Sequence, residues 1–206
     1  MRSQFTYYLL YKPYGVLCQF SDAGGRETLA AFGPFQRDLY PAGRLDADSE
    51  GLVLLTNDGR LKHRLTDPAF GHPRMYLVQV EGVPSPDALS ALREGVIVDQ
   101  KKTRPAEVEP IGSDPALPPR PVPIRVRKSI PTSWLRITLR EGRNRQIRKM
   151  TAAVGYPTLR IIRVQVGPLS IDGLKPGEKR MLTPEEVDEL RHTVGIIAQK
   201  RSLHKL

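Results

Sequence analysis

The run LVLLT (52–56) is apolar at every position but the last. A half-exposed strand alternates apolar and polar side chains, whereas a short continuous run suits a strand buried on both faces. Behind it NDG (57–59) is a strong turn signal. Ahead of it stands GRLDADSEG (43–51), a polar stretch with carboxylates at alternate positions. Whatever fold forms must cover this strand on both sides and leave Asp46, Asp48 and Glu50 at its mouth.

Three alternating acids and a glycine invite a metal reading. The calcium-loop template asks for Asp at one, Asp or Asn at three and five, Gly at six and a bidentate Glu at twelve. Asp46, Asp48 and Gly51 fit, but position twelve is Asn57, and an amide cannot close the coordination shell. No metal site is expected. Arg44, two residues before Asp46, is a competing counter-charge, and on spacing alone Asp46 reads as a turn residue paired with it. Asp48 and Glu50 read as a solvated or cap-forming pair.

The rest of the chain alternates short strands and helices. FTYYLLY (5–11), MYLVQVEG (75–82), WLRITLR (134–140) and LRIIRVQVG (159–167) read as strands. ETLAAFG (27–33) predicts a short helix stopped by Gly-Pro, and SPDALSALREG (85–95) has a serine cap, proline at the first position and a glycine stop. NRQIRKMTAAVG (144–155) predicts a third helix. The proline-rich DPALPPRPVP (114–123) suits neither element and is a loop or linker. No regular βαβ repeat emerges. An α+β fold around a largely antiparallel sheet is expected.

With 206 residues the chain can bury a real core without disulfides, and its single cysteine, Cys18, allows no internal one. Cys18 follows an apolar pair and reads as buried filler. No apolar run reaches the length of a membrane span, so a soluble cytoplasmic location is expected. The net charge is +10, and the segment 120–163 alone carries twelve basic residues against one acid, Glu141. All the excess therefore lies in one segment, as expected of a phosphate-backbone binder. In the helix from 144, Ile147, Met150 and Val154 share a face, while Arg145 and Lys149 point away from it, towards phosphate, and Arg148 sits at the edge.

Other chemistries find no support. There is no G-x-S-x-G elbow, Walker loop or G-x-G-x-x-G. His63, His72, His192 and His204 lack ligand spacing.

The motifs GRLDADSEGLVLLTNDG (43–59), YKPYG (11–15) and EGRNRQIRKMTAAVGYPTLRIIR (141–163) strongly resemble the pseudouridine synthases, in their ribosomal RsuA/RluE branch. The resemblance spans about 5–189 and implies the fold of that family, with a mixed, largely antiparallel sheet, flanking helices and a central catalytic cleft. It implies that Asp46 is the nucleophile, that Arg148 pairs with Asp46, that Ile147 lines the pocket and that Tyr76 stacks on the target base. Arg44 is expected to position substrate or support Asp46, and Arg143, Asn144, Arg145, Gln146 and Lys149 are expected on the substrate. Two features depart from the branch: many members carry lysine where Arg74-Met75 stands here, and many begin with an S4-type RNA-binding domain. A single two-lobed catalytic domain over 4–190, a tail over 191–206, no S4 domain and a monomer are expected. The implied partner is large-subunit ribosomal RNA, with no cofactor, metal or membrane.

The residue types suit the reaction independently. Moving the ribose bond from ring nitrogen to ring carbon involves neither redox change nor net hydrolysis, so a carboxylate suffices. An arginine keeps that carboxylate ionised, and an aromatic ring holds the base as it turns. A non-catalytic ribosomal RNA-binding protein or assembly factor on the same fold remains the alternative. Basic charge fits both. Only the Asp46, Tyr76 and Arg148 set favours the enzyme, because a binding protein has no use for a buried, arginine-paired carboxylate near RNA phosphates.

Overall fold

The computed structural model describes residues 5–124, 127 and 129–196. The chain runs through β1 (Tyr7–Lys12), a 3-10 turn (Leu29–Phe32), β2 (Tyr40–Pro41), β3 (Glu50–Thr56) and α1 (Gly59–Thr66). After a second 3-10 turn (Pro68–Phe70) come β4 (Arg74–Glu81), α2 (Pro86–Glu94), β5 (Ile97–Val98), β6 (Lys101–Lys102) and β7 (Glu107–Ile111). The last part comprises β8 (Thr132–Leu139), α3 (Gln146–Ala153), β9 (Thr158–Val166), β10 (Leu169–Ser170), β11 (Lys179–Met181) and α4 (Pro184–Thr193).

One nine-stranded sheet carries the order β11-β1-β3-β9-β4-β8-β7, with β2 added to β3 and β10 to β9, while β5 and β6 pair separately. Every pairing in it is antiparallel except β3 with β9, a ladder of only two residue pairs, Glu50 with Ile162 and Gly51 with Arg163. The α+β class expected from the sequence is the one observed. As the LVLLT run requires, every residue of β3 is buried. One face of the sheet is covered by a cluster in which Leu52, Leu54 and Ile162 meet Leu61 and Leu65 of α1 and Leu190 of α4. The opposite face carries two clusters. Leu10, Leu45 and Val53 form one, and Val78, Ile137, Ile147, Met150 and Ile161 the other; Tyr76 packs against both.

Several elements differ from the sequence reading. NDG does not merely turn the chain: Asp58 caps α1, its carboxylate accepting from the Leu61 amide at 3.0 Å and from the Tyr7 hydroxyl at 2.8 Å. The 27–33 helix is reduced to a 3-10 turn capped by Thr28. The helix expected from 144 starts at Gln146, because Arg145 adopts the left-handed conformation with φ 51°. The expected tail from 191 is part of the core as far as it is described. α4 begins with a Thr183/Glu186 capping box, and Val194 and Ile196 are buried beyond its end. Residues 197–206, and Arg125 and Lys128 of the basic segment, lie outside the described residues. Among the described residues no helix is long and apolar enough to cross a membrane.

The short parallel ladder is possible only with glycine at 51. Its φ is +109°, and an added Cβ would lie 2.3 Å from the Arg163 carbonyl oxygen and 2.6 Å from its nitrogen, both backbone atoms that cannot swing aside. Gly51→Ala is therefore expected to destabilise the protein by at least about 2–3 kcal/mol. Urea unfolding against the wild type measures it.

Candidate active site

Where β3 begins, the preceding loop is pinned from several directions. The Ser49 amide donates to the Asp46 carbonyl at 3.1 Å, and the Gly15 amide donates to the Ala47 carbonyl at 2.8 Å. Lys12, fully buried, donates through Nζ to the carbonyls of Pro13 and Val16, both at 2.8 Å, and to that of Ala47 at 3.4 Å. Burial lowers the Lys12 ammonium to about 8, against the pull of neighbouring acidic groups. Glu50, read from sequence as solvated, is instead buried. Its carboxylate accepts both arms of the Arg160 guanidinium at 2.8 and 2.7 Å, with the side chains 3% and 8% exposed. Arg160 also donates to the Pro118 carbonyl at 2.9 Å, which ties the proline-rich segment behind the loop. There Arg120 lies over the Tyr14 ring at 4.1 Å.

In front of the loop is a cleft of about 320 Å³, within the range of small-ligand sites. The loop contributes Arg44, Leu45, Asp46 and Ser49 to its lining, and strands β4 and β9 contribute Tyr76 and Ile161. The stretch from Glu141 to Arg148 supplies the opposite wall. Of the residues singled out in the sequence, Arg44, Asp46, Tyr76, Arg143, Asn144, Arg145, Gln146, Ile147 and Arg148 all converge here, whereas Lys149 does not. Asp46 and Arg148, far apart in sequence, become neighbours because β3 and β9 are adjacent and α3 immediately precedes β9. A bulge between Met75 and Tyr76 shifts the β4–β9 register just where the tyrosine enters the cleft.

Pairing within the cleft differs from expectation. The anticipated contact of the Arg148 guanidinium with the Asp46 carboxylate is not made. Arg148 donates to the Asp48 carbonyl at 2.8 Å and to the Thr158 carbonyl at 3.4 Å and lies 3.3 Å from the Asp48 carboxylate, while its Nε has no partner among the described residues. Arg145 also turns to Asp48, with two bonds of 3.1 and 2.9 Å, and stands 3.7 Å from Asp46. Asp48 is thus neither solvated nor a helix cap. Burial works to raise its carboxyl, but the Arg145 hydrogen bonds and the charges of Arg148 and Arg145 outweigh it and hold the group below its ordinary value. Burial lowers the Arg148 guanidinium, with Asp48 opposing.

The other expected contacts divide. Arg44 is exposed on the rim and forms no ion pair among the described residues, so it is not the partner of Asp46. Asn144 is also exposed. Arg143 spends its guanidinium on the Lys101 and Lys102 carbonyls, at 3.1 and 2.6 Å, and on Glu141. Gln146 is buried, bonding Glu141 at 2.6 Å and the Arg143 amide at 3.0 Å. Lys149 pairs with Asp99 at 2.6 Å. Arg145 and Lys149 therefore have carboxylate partners where free phosphate ligands were expected. Sequence reasoning missed the roles of Lys12, Glu50, Glu141 and Arg160; the one available signal was Glu141, a lone acid inside an otherwise basic stretch. Among the described residues no group of three or more His, Cys, Asp and Glu is placed to hold a metal.

Residues 6–153 match the RNA pseudouridylate synthase family. The chain is 55% identical over 170 residues to the ribosomal large subunit pseudouridine synthase E of Xanthomonas axonopodis pv. citri, covering 82% of this chain and 89% of that one. It is 36% identical to the ribosomal large subunit pseudouridine synthase B of Bacillus subtilis, covering 92% of this chain and 73% of that one. A crystal structure of a pseudouridylate synthase superimposes with a TM-score of 0.76 at 31% identity, covering 91% of this chain and 74% of that one.

The buried Glu50–Arg160 pair anchors the loop that bears Asp46. Replacing one member leaves the other's charge buried without its counter-ion, which is far more costly than replacing both. Arg160→Met is expected to lower stability by about 3–5 kcal/mol. The Glu50→Gln/Arg160→Met double variant should recover much of that loss, as denaturant unfolding of both variants would report.

Proposed function

The chain belongs to the RNA pseudouridylate synthase family and is an isomerase of uridine in RNA, and from that premise we propose that it converts a specific uridine of large-subunit ribosomal RNA to pseudouridine with Asp46 as the attacking carboxylate. The observation that carries this reading is the state of Asp46. Its carboxylate is 39% exposed, faces a cleft shared with Tyr76 and accepts no two-point arginine pair. The relatives named for the large ribosomal subunit support the choice of RNA.

Three routes are open to such a carboxylate. It can attack the anomeric carbon, so that the bond to the ring nitrogen breaks and its electron pair leaves on uracil. It can assist elimination to a glycal, with the same departure. It can add to the ring, moving an electron pair to a ring carbonyl oxygen. Each route places negative charge on the base, and each returns the ribose bond at carbon with loss of the ring proton there. No electrons enter or leave overall, so no cofactor is called for. In this reading Tyr76 holds the base, Ile147 and Ile161 give it an apolar wall, and the Arg145 and Arg148 guanidiniums supply positive charge where the ring turns anionic.

The target uridine must first leave its stack, which costs a few kcal/mol. In this reading Arg44 and Asn144 on the exposed rim meet the flanking backbone, and phosphate contacts favoured by the chain's net positive charge offset that cost.

Asp46→Asn tests the assignment, because it preserves shape while removing the charge and the nucleophile. Tritium release from ribosomal RNA labelled at the uracil carbon that joins ribose should fall to background, with RNA affinity unchanged or slightly higher. Release at the wild-type rate from a folded Asp46→Asn protein would refute the role of Asp46. A wild type that binds this RNA without releasing tritium would favour a binding function.

A further inference from the structure

Two carboxylates, Asp46 and Asp48, and two guanidiniums, Arg145 and Arg148, meet at the loop before β3, and they pair unevenly. Asp48 receives both arms of Arg145 and two contacts from Arg148. Asp46, two residues earlier, receives none of comparable quality; its nearest guanidinium nitrogen is 3.7 Å away. A two-point arginine fork engages both oxygens of a carboxylate with strong, directed bonds. A carboxylate held in that way is a poor nucleophile, since the lone pairs that must reach carbon are already committed. The reaction nonetheless needs cations close by, because each route charges the uracil ring.

These two demands conflict unless something else binds the arginines. We propose that Asp48 is a positioning residue that keeps Asp46 free to react, holding the Arg145 fork and the Arg148 guanidinium beside Asp46 without letting either close a two-point pair on it. The inference rests on the reading of Asp46 as the attacking group. The backbone supports the arrangement. Arg145 sits in the left-handed region at φ 51°, a conformation that non-glycine residues adopt at an energetic cost, immediately before α3. That geometry directs its side chain across the cleft to the loop. Arg148, one turn into α3, reaches the same residue through its main-chain carbonyl, so Asp48 fixes one guanidinium through its carboxylate and the other chiefly through its backbone. The hydrogen bonds to Asp48 also raise the Arg145 guanidinium above its ordinary value.

Asp48→Asn separates this role from a merely structural one. The variant keeps the main-chain carbonyl that Arg148 uses, but it cannot hold the Arg145 fork, and the nearest remaining carboxylate for Arg145 is Asp46; denaturant unfolding verifies that it folds. The expected result is a kcat lower by about 10–100-fold, the order found for an ångström-scale misplacement of a reacting group, with KM little changed. Asp48→Glu, which restores a carboxylate, should regain part of the rate. The decisive variant is Asp48→Asn/Arg145→Gln. Removing the guanidinium that has collapsed onto Asp46 should make the double variant faster than Asp48→Asn alone.

Unchanged kcat in Asp48→Asn, an effect confined to KM, or a double variant no faster than the single one would each overturn the proposal. A crystal structure of Asp48→Asn decides the matter without turnover: Arg145 within hydrogen-bond distance of both Asp46 oxygens supports it, and Arg145 still apart from Asp46 refutes it. Absence of tritium release by the wild type would count against the proposed activity, and the crystal structure would still judge the role of Asp48.

Discussion

The buried pair between Glu50 and Arg160 is the interaction on which the remaining architecture depends. It lies at the parallel junction of the sheet, where β3 and β9 share just two residue pairs among the described residues. So short a ladder contributes few hydrogen bonds, and side chains reinforce it. Arg160 binds Glu50 with two bonds, and Arg163, also buried, donates through Nε to the Leu52 carbonyl at 2.8 Å. Two arginines of one strand thus lash it to its neighbour. Charge pairs of this kind add little net stability over apolar packing, but they accept only one geometry. Here that geometry sets the position of the loop just before β3.

The cleft is a consequence of how the sheet is covered. One face carries a continuous core, closed by α1 and α4. On the other face two separate clusters leave a gap, and Tyr76 stands between them. Because the gap lies over the same junction, Asp46 from the first half of the chain and α3 from the second meet across it. The sheet beneath the site is therefore held by several side-chain bonds, while Arg44, Asn144 and Arg145 at the rim are exposed. Such a site is preorganised at its base and adaptable at its mouth.

Much of this was legible in the sequence, for identifiable reasons. The buried strand followed from LVLLT, α2 from its caps, and the convergence of Asp46, Tyr76 and Ile147 from the long motifs that carry the family resemblance. What could not be read was the partner of each charge. Glu50 sits in an acidic loop and looks solvated, yet its counter-ion is 110 residues away. Asp48 and Asp46 are alike in type and spacing, and only the positions of two guanidiniums distinguish them. Asp58 looked like part of a turn because its capping bonds and its bond from Tyr7 are visible only once α1 and β1 are in place. Periodicity reports which faces are apolar; it carries no information about which of several carboxylates an arginine will choose.

The proline-rich excursion between β7 and β8 has a mechanical consequence. These strands pair antiparallel up to Ile111 and Trp134, so a tight hairpin would have joined them. Instead the chain leaves the sheet, crosses behind the Asp46 loop and is fastened to the framework at the Pro118 carbonyl, with Arg120 resting on Tyr14. The entropy of closing such a loop grows slowly, by about 0.6 kcal/mol for each doubling of its length. A change in the length of this stretch therefore costs folding little so long as the Pro118 carbonyl and the Arg120–Tyr14 contact are kept, so the segment behaves as a tethered strap whose two fastenings, and not its length, are what the Asp46 loop leans on.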